Sequence, residues 1–157
     1  MHTGHTFEAS FLALLALSFA PALVFQFGTA LRNAIANSVE TTTGASAILH
    51  IYSGSPPAHP SDAPTGTLLV TMILPATWLT NAVAGVVNIS GLWSGAGLAA
   101  GTAGYFRIYD PTDTTCMVQG DVSQVGGPAA AMMIDNAAIV VSQVVQVVTF
   151  TLTAPGA

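Results

Sequence analysis

Four histidines, seven carboxylates, two arginines and one cysteine are the side chains of this 157-residue sequence with acid–base, metal-binding or thiol chemistry to offer; lysine is absent. His2 and His5 have two residues between them, a possible start for a metal site, but no further ligand follows nearby. His50 sits among apolar neighbours in a strand-like run, the setting of a satisfied, half-buried imidazole more than of a general base. His59, Ser61 and Asp62 share a proline-rich segment. A hydrolytic nucleophile needs a base and an orienting acid in register, and polar residues of these types are ordinary in loops. Asp110 and Asp113 carry oxygens suited to calcium, which gathers several such ligands in a short loop. Asp110-Pro111-Thr112-Asp113 is better explained as a β-turn with proline at its second position. Cys116, in the apolar run Cys116-Met117-Val118, reads as a small buried hydrophobe. One cysteine permits neither an intrachain disulfide nor a zinc site built on paired cysteines. Asn88-Ile89-Ser90 matches a glycosylation sequon, which matters only in a eukaryotic secretory pathway. Gly95-Ala96-Gly97 and Gly101 do not lie between a strand and a helix, and a lysine-free chain has no P-loop lysine. The residues therefore assign no catalytic, metal-ligating or cofactor-binding position, and point away from an enzyme.

Composition says more than the motifs do. Charged residues make up 6% of the chain and hydrophobic residues 52%, with a formal net charge of -5. Disorder usually goes with low hydrophobicity and high net charge, neither of which holds here. Arg32 and Arg107 cannot supply the basic footprint that nucleic acid or anionic lipid requires. A soluble domain ordinarily has about 25% charged residues. So sparse a set suggests a surface hidden in an assembly or a membrane, and a homo-oligomer is expected.

The least polar stretch comes first. Residues 1–28 are read as an apolar N-terminal arm. Phe11 to Phe27 spans 17 residues in which Ser18, Pro21 and Gln26 are the breaks in apolarity. Phe11, Leu12, Leu14, Leu15, Leu17, Phe19, Leu23, Val24, Phe25 and Phe27 are its candidate interface residues. Three readings compete. A secretory signal has a basic n-region, which is missing here. A membrane helix needs about 20 apolar residues, and Pro21 would kink this one. An arm lying on a neighbouring subunit accounts for the low charge without a bilayer.

Residues 29–44 are read as a short amphipathic helix and linker. Leu31, Ile35 and Val39 make one stripe, Thr29 is a candidate cap, and the helix is expected to stop at Glu40, before Thr41-Thr42-Thr43-Gly44. Residues 45–157 are read as an all-β domain, a β-sandwich or jelly-roll-like fold of seven to eight short strands. The expected strands are 46–53, 67–74, 83–90, 102–110, 114–122, 131–134, 138–141 and 144–153. The 102–110 and 114–122 strands are expected to form a hairpin. Residues 54–66 hold four prolines in thirteen positions and must be loop. Gly91 to Gly101 also reads as loop. His50-Ile51-Tyr52 echoes Arg107-Ile108-Tyr109 and suggests two strands in similar positions. Trp78 and Trp93 are candidates for core or for aromatic interface anchors.

Two segments together resemble a family of small structural proteins of tailed bacteriophages. The first is Ile48-Leu49-His50-Ile51-Tyr52-Ser53-Gly54-Ser55-Pro56-Pro57, followed by Asp62-Ala63-Pro64-Thr65-Gly66-Thr67-Leu68-Leu69. The second is Gly101-Thr102-Ala103-Gly104-Tyr105-Phe106-Arg107-Ile108-Tyr109-Asp110, followed by Gly120-Asp121-Val122-Ser123. The resemblance runs from about Leu31 to Thr153, and the N-terminal arm departs from it. It implies a non-enzymatic virion component of the capsid decoration or cement type. Such a protein would sit on the capsid exterior, bind the major capsid protein or another virion protein, and need no cofactor. A tail or head–tail connector part, and a membrane-anchored or exported surface-binding β-domain held by residues 11–27, are the alternatives.

Overall fold

The computed structural model describes residues 25–156. One helix, α1 (Thr29–Thr43), precedes nine strands: β1 (Ile48–Ser53), β2 (Leu68–Ile73), β3 (Val86–Asn88), β4 (Ser94–Ala96), β5 (Gly101–Tyr109), β6 (Cys116–Gln124), β7 (Met132–Ile134), β8 (Ala138–Ile139) and β9 (Val144–Thr153). They form one curled sheet in the order β2-β1-β5-β6-β7-β9-β3, with β4 also on β9 and β8 also on β5. The fold is mostly β, as its alternating pattern implies.

The sheet curls far enough for its flanks to meet. β4 pairs with β9 through Ser94↔Gln146, Gly95↔Val145 and Ala96↔Val144. Just beyond it, Gly97 bridges Val70 of β2, and Leu98 N donates to Leu69 O at 2.7 Å. β4 occupies a stretch expected to be loop. The expectation failed because glycine has no side chain to show alternation, yet glycine is what the site requires. A Cβ on Gly95 would lie 2.6 Å from the Thr71 carbonyl oxygen and 2.9 Å from Met72 Cγ.

The expected hairpin is present, with β5 and β6 antiparallel from Tyr105↔Asp121 to Tyr109↔Cys116. β6 and β7 are parallel. β7 is so short that residues 125–131 are enough to bring the chain back beside β6. The expected 83–90 strand shrinks to β3, because Ala84 (φ 52°) and Gly85 (φ 79°) make a tight turn that folds Val83 back on Val86.

α1 differs from expectation at both ends and in its stripe. Gly28, not Thr29, is the N-cap, and no side chain caps it. The helix continues past Glu40 to Thr43. The hydroxyls of Thr41 and Thr43 donate back to the carbonyls of Asn37 and Val39, so these residues are satisfied inside the helix. Gly44 ends it at φ 104°, its N–H donating to Glu40 O at 2.8 Å. Leu31 is exposed, while Ala36 and Thr43 are buried and Ile35 and Val39 pack on the core.

A second helix face is polar and holds a loop. Asn33 Oδ1 accepts from Gly85 N at 2.7 Å, Asn37 Oδ1 from Ala82 N at 2.8 Å, and Glu40 from Trp78 N at 2.9 Å and Leu79 N at 3.2 Å. Spacings of four and three put these three side chains on one face. They supply acceptors to a backbone that makes little sheet.

The core lies inside the curl. Ala47, Leu49 and Ile51 of the first strand run, and Phe106 and Ile108 of β5, point into it. Trp78 and Trp93 stand 5.8 Å apart at its centre, Trp93 lies 5.8 Å from Phe150, and Phe150 lies 5.6 Å from Phe106. Along β9 the alternation breaks after Val147. The register slips opposite Met133 and Ile134, leaving Val148 and Thr149 both outward.

Candidate functional site

The outer face of β1 and β5 is where unusual chemistry collects. The two echoing segments pair directly, with His50 opposite Arg107 and Tyr52 opposite Tyr105. Period-two alternation sends Leu49, Ile51, Phe106 and Ile108 inward. His50, Tyr52, Tyr105, Arg107 and Tyr109 are therefore gathered on the other side. That face is nonetheless buried. Its cover is the proline-rich loop of residues 54–66.

Side chains from β5 and β6 hold the loop down. The Tyr105 hydroxyl donates to Thr65 O and accepts from Thr65 N at 2.8 Å. Arg107 Nη2 donates to the carbonyls of Pro60 and, at 3.0 Å, Asp62. Gln119 Nε2 donates to Pro57 O at 2.8 Å. Prolines leave their carbonyls without ladder partners, so a loop rich in them presents acceptors to donors from the sheet. Beneath it, Tyr52 stacks on Tyr105 at 5.1 Å and Arg107 lies over the Tyr109 ring at 5.3 Å.

His50 is 8% exposed. Its Nδ1 lies 3.1 Å from the Tyr52 hydroxyl and its Nε2 lies 3.4 Å from Asp113 Oδ2. Both ring nitrogens therefore have a polar partner. Burial pushes its pKa down, Asp113 pushes back, and Arg107 adds to the lowering. Burial raises the pKa values of Tyr52 and Tyr109. The arrangement is that of a satisfied imidazole.

Asp110 closes the β5–β6 turn. Its backbone carbonyl accepts from Asp113 N at 2.9 Å, and its carboxylate accepts from Thr114 N, Thr115 N and the Thr112 hydroxyl. The Thr115, Thr112 and Thr114 hydrogen bonds hold its pKa below the ordinary carboxylate value. The turn reading thus accounts for this carboxylate.

Between the loop and this turn opens a cleft of about 820 Å³, lined by His59 to Pro64, Arg107, Tyr109 and Thr114 to Cys116. His59, Ser61 and Asp62 do meet here, but Asp62 Oδ2 is engaged by the His59 backbone N–H at 3.0 Å and so closes the loop. Cys116 is half-buried and accepts from Arg107 Nε at 3.2 Å. Among the described residues no group of three His, Cys, Asp or Glu side chains is placed to hold a metal. The sequence singled out this loop and the Arg107 strand separately; what it lacked was the contact between them, made across 45 to 47 positions.

The candidate interface residues fall out as follows. Phe25 is 73% exposed and packs edge-on against Phe27 at 4.8 Å. Phe27 is half-buried, and its backbone N–H donates to Gly156 O at 3.0 Å. Phe11, Leu12, Leu14, Leu15, Leu17, Phe19, Leu23 and Val24 lie outside the described residues. Trp78 and Trp93 are both fully buried, so of their two expected roles the structure gives them the core and leaves no side-chain surface for a partner.

An apolar surface unforeseen in the sequence lies where β4 meets β9. The turn of residues 140–143 folds onto Gly97, with Gly97 N donating to Gln143 O and Ser142 N to Gly97 O. Leu98, Val140, Val141 and Val144, in or beside these segments, are each more than half exposed.

No family model, no curated protein and no solved structure matches this chain.

Proposed function

We propose that this chain is a non-enzymatic virion protein of the decoration or cement type, which binds a capsid surface and stabilises the head. The observation that carries this reading is the character of the surface. From Thr41 to Ala157 the chain has one arginine and five aspartates in 117 residues. The described surface instead leaves Leu98, Val140, Val141 and Val144, all from the segments that meet at the β4–β9 junction, more than half exposed. Apolar area removed from water contributes about 25 cal/mol per Å², and lasting assemblies bury upward of roughly 2,000 Å². A surface of this kind is a liability in a free monomer and an asset against a neighbour. The resemblance of the Ile48–Leu69 and Gly101–Ser123 segments to tailed-phage structural proteins supports the same reading.

The finer fold follows from it. The two flanks of the curled sheet are read as the two faces of a jelly-roll-like sandwich; Phe106 of β5 meeting Phe150 of β9 across the core supports this. Residues 1–28 are read as an arm that lies on a neighbouring subunit through its apolar run, residues 11–27. Among the described residues no helix is long and apolar enough to cross a membrane.

Quantitative mass spectrometry of purified particles tests the proposal. A decoration protein is present at on the order of tens to hundreds of copies per particle, and a tail or connector part at roughly three to twelve, as ring symmetry dictates. Absence from particles overturns the proposal.

A further inference from the structure

Among the described residues no carboxylate pairs with the charge of Arg107. Its guanidinium is always protonated, and the residue is 1% exposed. A buried charge ordinarily requires a partner of opposite sign. Among the described residues the close approach of oppositely charging side chains is His50 to Asp113, not a carboxylate on Arg107. Its hydrogen bonds go to neutral acceptors: Nε to Cys116 Sγ, and Nη2 to the Pro60 and Asp62 carbonyls. Nη1 donates to nothing among the described residues. It is also not one of the two sealed, unpaired polar atoms, Arg32 Nε and Gln119 Oε1. Arg107 also forms part of the wall of the cleft of about 820 Å³. That volume suits a small organic molecule or a peptide side chain.

We propose that this cleft binds a carboxylate, which pairs with the free side of the Arg107 guanidinium. The charge around it selects the class. The cleft has a single cation and includes Asp62 in its wall, with Asp110 one residue beyond Tyr109, so a dianionic phosphate meets repulsion that one guanidinium does not offset. A planar monoanion is the natural partner of a planar guanidinium. The hydroxyls of Ser61 and Thr115 in the wall supply further donors. The proposal stands on the Arg107 geometry and is independent of whether the protein belongs to a virion. The carboxylate has two possible sources, a free small acid or an acidic side chain of a protein partner.

The test follows amide shifts of the full chain, labelled with ¹⁵N, as sodium acetate is added at fixed ionic strength against a sodium chloride control. Saturable shifts are expected at Ser61, Asp62, Ala63, Thr114, Thr115 and Cys116. Ala63→Glu sets a carboxylate in the cleft wall from an exposed loop position, and is expected to weaken acetate binding at least about tenfold. Arg107→Met is expected to abolish it. Because Arg107 also holds the loop, Ala63→Glu is the variant that decides if Arg107→Met fails to fold. A second arm replaces acetate with a blocked peptide carrying one glutamate. Binding at least about tenfold tighter than acetate identifies a partner's acidic side chain, and equal binding identifies a free acid. Acetate shifts no larger than those in chloride, affinity unchanged by Ala63→Glu, or equal binding of the same peptide with glutamine in place of its glutamate overturns the proposal.

Discussion

Glu40 accepts from the backbone of Trp78, and the far end of that tryptophan is tied to the same helix terminus. The Glu40 carboxylate accepts the Trp78 backbone N–H at 2.9 Å, and the Trp78 indole donates to the carbonyl of Gly44, the residue that ends the helix carrying Glu40, at 3.0 Å. The helix and the central core aromatic are thereby fixed as one unit, although 38 positions separate the two residues.

Glu40→Ala removes an acceptor from two backbone donors at once. Bonds to a charged acceptor contribute about 1.5–3 kcal/mol, and a stranded buried donor costs a similar amount. A loss of about 2–4 kcal/mol is expected in urea unfolding. Glu40→Gln keeps one acceptor oxygen and is expected to lose about half of that. Equal stability of wild type and Glu40→Ala would show that water replaces the carboxylate.

Tyr105→Phe removes the hydroxyl that binds Thr65 and leaves the ring stacked on Tyr52. The cost to global stability is about 1 kcal/mol. The larger effect is local: faster amide exchange at Thr65 and faster proteolysis within residues 54–66 are expected. Unchanged exchange there would mean that Arg107 and Gln119 hold the loop without it.

His50 makes stability depend on pH. Its folded pKa lies below the unfolded value of 6.5, because burial and Arg107 outweigh Asp113. The unfolded chain then binds more protons than the folded chain between the folded pKa and 6.5, so stability rises with pH in that window. Cooling of Tm is expected as pH falls from 7 through the His50 window, and His50→Asn is expected to flatten that part of the profile. Tyr52, Tyr109, Asp113 and Arg107 all face this ring and remain in the variant. A profile with the same slope in His50→Asn refutes the assignment.

Leu98→Asp combined with Val141→Asp changes two exposed positions, so the domain is expected to keep its stability within about 0.5 kcal/mol per site. Self-association and particle binding are expected to fall together, measured by sedimentation and by co-purification with particles. Removing residues 11–24 is expected to leave the β-domain folded and to weaken attachment. Full binding by both variants would place the interface elsewhere.

The strands were legible where side chains alternate. Leu49 and Ile51 against His50 and Tyr52, and Phe106 and Ile108 against Tyr105 and Arg107, declare two faces without any structure. β4 was illegible for the opposite reason: at Gly95 the close approach of β2 requires that there be no side chain to read. The helix was placed but mis-ended, since threonine's low propensity says nothing of the hydroxyl bonds that Thr41 and Thr43 make within it. Asn33, Asn37 and Glu40 stand at helical spacing, yet no sequence rule says that such a stripe faces backbone rather than water. The cleft escaped because its two walls come from different parts of the chain, and nothing local in either announces the other.

Gly95→Val probes the strand that was missed. A branched side chain there must displace the Thr71 carbonyl or Met72, and a loss of more than about 3 kcal/mol, or failure to fold, is expected. A Tm near that of wild type would mean that β4 can lift off without harm.

The hydrogen bond from Phe27 to Gly156 brings both ends of the described chain to one pole of the molecule. A peptide or reporter fused after Gly156 would emerge close to Phe27. Joining them with a short linker and reopening the chain at Gly126-Gly127 would give a circular permutant that severs no strand. In that form residues 1–24 are tethered at both ends, and if they act as a free arm, attachment should weaken while the fold survives.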